Sequence, residues 1–173
     1  KKHLFTMVQD DKKMISFGTS VGVTEIPDEL RRLYKNCLSR FQAISVREVQ
    51  SAYALDFLQQ EVTEVIDPAL LFDAKGWKFL TDEAKLKSEL LSEPYILCYF
   101  IGERRTYWNY VKKIQKKTGY RVLVIPVNYA GYSNKYEKLT DVTMKEFLAL
   151  IQRAEIICTD SFHATLFSIQ YQK

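Results

Sequence analysis

Histidine occurs only twice in these 173 residues, cysteine three times, proline four times and glycine six times. The three cysteines are widely spaced, so no metal site is expected. Cys37, Cys98 and Cys158 are odd in number and sit in apolar patterns, which suits buried free thiols better than disulfides. Also missing is any run near the roughly 18 apolar residues of a membrane span, any secretory signal at the start, and any repeat or low-complexity tract. These absences lead to the expectation of a soluble cytoplasmic protein, working free or at the inner face of the membrane. What is present is ample apolar material, 47% hydrophobic residues with 13% aromatic, enough for a real core. The net charge is a modest +4, and its basic excess gathers at Arg104, Arg105, Lys112, Lys113, Lys116, Lys117 and Arg121. Most of these fall on the polar side of a helix whose Tyr107, Tyr110, Val111 and Ile114 face inward. That pattern is a solvated face, or else a contact for a polyanion or acidic membrane, and alone it does not imply nucleic acid.

The hydrophobic periodicity predicts strands near 13–17, 43–47, 62–66, 95–101, 121–127 and 155–159, with helices in most of the gaps. Pro27 suits a helix start, and Leu30, Leu33, Tyr34, Cys37, Leu38 and Phe41 recur on one face of the helix it opens. A second helix follows Arg47, with Val49, Ala52, Tyr53 and Phe57 inward. Thr143-Met-Lys-Glu146 reads as a capping box before a helix carrying Met144, Phe147, Leu148 and Ile151. Strand–helix–strand alternation means a parallel sheet in an α/β fold. The rhythm stops over 67–93, where Pro68 and Gly76 punctuate and 81–91 reads as an irregular or helical connector. Tyr95-Ile-Leu-Cys-Tyr-Phe-Ile101 then restarts as a central strand, as the first βα unit of a new Rossmann-like domain would. One six-stranded domain is also compatible with this rhythm.

The chemistry concentrates at Glu155-Ile-Ile-Cys-Thr-Asp-Ser-Phe-His163-Ala-Thr-Leu-Phe-Ser-Ile169, an apolar strand running into a helix. Thr159, Asp160 and Ser161 can each cap that helix, whose inward face would hold Phe162, Leu166 and Ile169. His163 then falls near the third helical position and points toward a ligand. A helix start favours phosphate or carboxylate, and in open α/β sheets this junction opens on the ligand crevice. The alternative is a histidine that only packs or hydrogen-bonds locally. Arg47 stands at the end of a predicted strand, where it either grips an anion with paired N–H bonds or forms an ion pair with Glu48 or a neighbour. Asp160 reads as a cap rather than a base, and Asp67-Pro68 either lines a cleft or simply turns the chain. Asn128, Tyr129 and Tyr132 follow a strand end, where they touch a sugar or bridge to the next helix. Gly18-Thr-Ser-Val-Gly22 lacks a Walker lysine and a dinucleotide fingerprint, so no nucleotide site is assigned. His3 has no nameable partner.

The Thr159-Asp-Ser-Phe-His163 run resembles the polysaccharide pyruvyl transferase family. Ala43-Ile-Ser-Val-Arg47-Glu48, Val65-Ile-Asp67-Pro68-Ala-Leu-Leu71 and the opening Ile15-Ser-Phe-Gly-Thr-Ser-Val-Gly22 are similar to further blocks of it, in the same order. The resemblance implies a GT-B-like arrangement of two Rossmann-like domains facing a cleft, both partial here. Residues 1–73 would be the C-terminal part of the first domain, 74–92 a connector, and 93–173 the N-terminal part of the second. A full member would be about twice this long by the usual length per domain. It further implies phosphoenolpyruvate held by Arg47 and His163, with Ser161 standing where some relatives carry an arginine, and Ala164 where relatives often carry glycine. Ser161 or backbone N–H groups would then take over phosphate contacts.

The implied reaction transfers the pyruvyl group of phosphoenolpyruvate to two hydroxyls of a saccharide acceptor, free or lipid-linked, forming a ketal during surface polysaccharide biosynthesis. No cofactor is implied. His163 would be catalytic, since histidine titrates near neutrality and can donate a proton or hold departing phosphate. The competing readings are a GT-B glycosyltransferase using a nucleotide sugar, whose diphosphate would sit at the same helix start, and a non-catalytic binding fragment.

Overall fold

The computed structural model describes residues 12–90 and 92–173, so His3 lies outside it. The chain divides into two compact units, Lys1–Leu71 and Phe72–Lys173. Each carries its own sheet, and every strand pairing among the described residues is parallel. A single six-stranded sheet is therefore excluded.

In the first unit, β1 (Met14–Thr19), β2 (Phe41–Val46) and β3 (Val62–Glu64) lie in that order. Helices α1 (Asp28–Leu38) and α2 (Val49–Ala54) make the crossovers. Met14, Ile26, Phe41, Ile44, Val46 and Leu55 form the core, with Tyr34 and Leu38 of α1 packed on it. The inward face of α2 differs from the expectation. Ser51 and Ala54 are buried, whereas Val49 and Tyr53 are exposed, Tyr53 at 70%. Small side chains let a short helix sit close to the sheet, and the bulky ones are displaced outward.

The second unit begins with α3 (Lys78–Asp82) and continues through β4 (Tyr95–Tyr99), α4 (Arg105–Thr118), β5 (Arg121–Val124), α5 (Tyr129–Ser133), β6 (Glu137–Lys138), α6 (Met144–Arg153), β7 (Ile156–Thr159) and α7 (Phe162–Gln170). The sheet order is β6-β5-β4-β7, which makes β4 a central strand. Ile96, Leu97 and Cys98 are fully buried, as a strand covered on both faces requires. On one face Ile96, Cys98, Val122 and Val124 pack against Val111 of α4. Leu148, Leu150 and Ile151 of α6 are buried as well, and α3 and α7 pack on α6. Tyr95 donates its hydroxyl to the Leu150 carbonyl at 2.8 Å, and burial pushes its pKa up to about 12.

Two further helices are rotated from their expected faces. On α4, Tyr107, Trp108, Val111 and Ile114 pack inward, but Tyr110 is 62% exposed. On α7, Ala164, Phe167 and Ser168 are buried while Phe162 and Ile169 are exposed. Met144 of α6 is also exposed. The capping box is present as expected, with Thr143 Oγ1 accepting from the Glu146 N–H and Glu146 accepting from the Thr143 N–H.

Candidate functional site

Within the first unit, three of the sequence blocks meet at the carboxyl end of the sheet. Arg47 follows β2 directly, and its backbone N–H donates to the Thr19 carbonyl at 3.1 Å. The guanidinium is half-buried and engaged by its own chain. Nε lies 3.1 Å from Glu48 Oε1 and 3.0 Å from Asp67 Oδ2, and Nη1 donates to the Gly18 carbonyl at 3.3 Å. Asp67 is only 6% exposed, and its other oxygen accepts from the Ala69 N–H at 2.8 Å, capping a 3-10 turn over Pro68–Leu70. Glu48 Oε2 accepts from the Ser51 hydroxyl at 2.8 Å, and Ser51 in turn accepts from the Val21 N–H. Gly18 adopts φ +58°, and a Cβ there would come within 2.7 Å of Pro68 Cδ, so the end of β1 closes onto the 3-10 turn only with glycine. Among the described residues one cation here faces two carboxylates. An anionic ligand at Arg47 would have to share or displace a carboxylate.

Asp67 therefore does more than turn the chain: it is the buried partner of Arg47. The ion pair foreseen with Glu48 is also present. Sequence spacing gave no sign of the Asp67 pairing, because its two members come from different strand ends twenty residues apart.

The second unit places Ser161 and His163 where β7 feeds α7. The chain leaves β4 toward β5 on one side, while β7 lies on its other side, so the carboxyl ends of β4 and β7 flank the point where strand order reverses. Ligand crevices of open parallel sheets form at this point. Thr159 donates to the Tyr99 carbonyl at 2.6 Å and accepts from the Ser161 N–H at 3.0 Å, stitching the two strand ends together. Ser161 is the helix cap, its Oγ accepting from the Ala164 N–H at 3.4 Å. It is buried, with its Oγ serving the helix as an acceptor. His163 is exposed at the second helical position rather than the third, with the Phe162 ring edge-on to its imidazole at 5.3 Å between centroids.

Asp160 does not cap α7. Its two oxygens accept from the backbone N–H groups of Ile101 and Gly102, at 2.7 and 2.9 Å, across the strand-order reversal. A Cβ on Gly102 would lie 2.8 Å from Asp160 Oδ2, so glycine is what allows the carboxylate this close. Asn128 pins the same loop from the other side, donating to the carbonyls of Phe100, Ile101 and Gly102, while its oxygen caps α5 through the Gly131 N–H. Of the two roles open to Asn128, the structure shows the bridging one. Tyr129 is exposed, and Tyr132 lines a cavity of about 480 Å³ with Tyr99, Val127, Met144 and Phe147. A smaller cavity of about 300 Å³ lies among Lys87, Arg121, Lys138 and Glu146. Neither is lined by Ser161 or His163.

All three cysteines are free thiols, and Cys98 and Cys158 face each other in register on β4 and β7. The facing Cys158 thiol, and after it burial, push the Cys98 thiol up. Among the described residues no group of three or more His, Cys, Asp or Glu side chains is placed to hold a metal ion, and no helix is long and apolar enough to cross a membrane. Arg47 belongs to the first unit, and Ser161 and His163 to the second.

No curated protein and no solved structure gives a significant match to this sequence. The family model described as polysaccharide pyruvyl transferase does match, over residues 8–173. That span takes in the Arg47 cluster, the loop held by Asp160 and the His163 helix, and the chain belongs to the polysaccharide pyruvyl transferase family.

Proposed function

We propose that this chain is part of an enzyme that transfers the pyruvyl group of phosphoenolpyruvate to a saccharide diol. The observation that carries this reading is His163, exposed on the first turn of α7 where the strand order reverses, within a family match that names the group transferred. In the proposed reaction the methylene carbon of phosphoenolpyruvate gains a proton and becomes the methyl group. The neighbouring carbon takes on oxocarbenium character and accepts one sugar hydroxyl. Loss of phosphate by C–O cleavage and attack of the second hydroxyl close the ketal. Of the two hydroxyl protons, one balances the new methyl C–H and the other leaves on phosphate.

His163 donates the proton or holds the leaving phosphate, and Arg47 clamps anionic oxygens of the donor. Ser161 caps the helix as an acceptor and keeps its O–H as a donor, so the phosphate falls to Ser161, His163 and backbone N–H groups at the helix start. We further take the two units as pieces of two Rossmann-like domains in a GT-B-like arrangement. In that division 1–73 belongs to the first domain, 74–92 connects, and 93–173 opens the second. The acceptor is a saccharide, free or lipid-linked, met on the cytoplasmic side during surface polysaccharide synthesis.

Calorimetric titration of phosphoenolpyruvate into the full-length protein tests this reading. Arg47→Ala should weaken binding roughly tenfold to a hundredfold, the loss expected for charged hydrogen bonds. His163→Gln should lower kcat by about 10²–10⁴ while donor binding persists. Binding of a nucleotide sugar without phosphoenolpyruvate would move the protein to the glycosyltransferases, and binding of neither would make it a non-catalytic fragment.

A further inference from the structure

Helix α4 carries a face that the proposed reaction does not use. Arg104 and Arg105 open it, Lys112, Lys113, Lys116 and Lys117 fill its second half, and all six are exposed. Glu103 is the one acidic residue between positions 103 and 118. At 100° per residue, the helical cations span an arc of roughly 140° opposite the buried Val111. Elsewhere the basic residues Arg31, Arg47, Lys78, Arg121 and Lys145 are paired with carboxylates. Among the described residues none of the six has an ion pair, and Lys113 lies over the Tyr110 ring at 5.7 Å. Six exposed cations exceed the net +4 of the whole chain, so the remainder is net negative.

Helix stability does not account for the pattern. Lys116 and Lys117 complement the dipole at the carboxyl end, but Arg104 and Arg105 oppose it at the start. We propose that the cationic face of α4 docks this protein on an anionic phospholipid surface. Neither of the two cavities described above is lined by a residue of α4. A 14-residue helix instead presents a strip about 21 Å long to a plane. Exposed Tyr110 borders the cations with an apolar ring and a polar tip, the combination that settles at headgroup depth. If the acceptor is lipid-linked, which rests on the proposed function, this face would hold the enzyme where that acceptor lies.

The test is co-sedimentation of the full chain with phosphatidylcholine vesicles, with and without phosphatidylglycerol, in the absence of phosphoenolpyruvate and acceptor. Its result is therefore independent of the reaction. Binding is expected only with phosphatidylglycerol and should fall with added salt. Changing Lys112, Lys113, Lys116 and Lys117 together to Gln should weaken it by more than about a hundredfold, at roughly fivefold per basic residue. Changing Lys35, Lys75, Lys85 and Lys87 to Gln, an equal loss of charge elsewhere, should cost far less. Tyr110→Ser should weaken vesicle binding severalfold while leaving retention on heparin unchanged. The proposal is overturned by absence of binding to phosphatidylglycerol vesicles, by equal losses in the two lysine sets, or by duplex DNA binding as tight as vesicle binding with no effect of Tyr110.

Discussion

The backbone N–H groups of Ile101 and Gly102 end on the two oxygens of one carboxylate, and that carboxylate stands three residues before His163. Asp160 is thereby a positioning residue, holding the end of β4 to the start of α7. Asp160→Ala should lower stability by about 1–3 kcal/mol, toward the low end because water can reach the freed groups. Denaturant titration measures that loss, and the Ile101 and Gly102 amides should exchange hydrogen faster. Gly102→Ala should produce the same local effect with Asp160 intact, since the added methyl occupies the carboxylate's space. At this scale the sequence disclosed residue types and strand ends but not partners. His163 and Arg47 were legible from their positions after apolar runs. The hold of Asp160 on a loop 58 and 59 residues away, and the pairing of Asp67 with Arg47, depend on which strands become neighbours. Composition and local spacing carry no such information.

Elements show a sharper division. Strands were legible because valine, isoleucine and aromatic runs mark them, yet β6 was missed: it is two residues long, both charged, with no apolar alternation. Helix positions were legible too, but their faces were not always. A helix against a sheet buries small residues where the backbones approach, so Ser51, Ala54, Ala164 and Ser168 go in while Tyr53, Phe162 and Ile169 stay out. Hydrophobic periodicity counts bulk and misses this. The capping box of α6 was legible because its contacts are local. Thr143→Ala should cost about 1 kcal/mol in thermal or chemical unfolding. The Thr143 N–H, and then its hydroxyl, hold the Glu146 carboxyl below its ordinary 4.5. A depressed acid contributes stability above its unfolded pKa and loses it as pH falls through the lower folded value. Wild-type unfolding curves should therefore weaken on acidification below about pH 4.5, and Glu146→Gln should flatten that part of the dependence. In β4, Leu97→Ala should cost about 2–5 kcal/mol, because a fully buried side chain leaves a cavity between layers that cannot close.

At the scale of the molecule, two parallel sheets with separate cores predict separable folding. A chain of residues 72–173 should retain its sheet and helices by circular dichroism and show a dispersed amide spectrum, since its core draws on its own strands and helices. Collapse of that piece into an unfolded chain would mean that its stability depends on the rest of the protein. The strand order has a further consequence in time. β4 pairs with β5 about 26 residues on, but the partners of its other edge, on β7, lie about 60 residues on from β4. During synthesis from the N-terminus, β4 can acquire one partner early while its opposite edge stays open until β7 emerges. The loop at Gly102 waits equally long for Asp160. Among the described residues, the last segment to join this sheet is the one that brings His163, so β4 gains its second partner and the candidate catalytic residue in the same event.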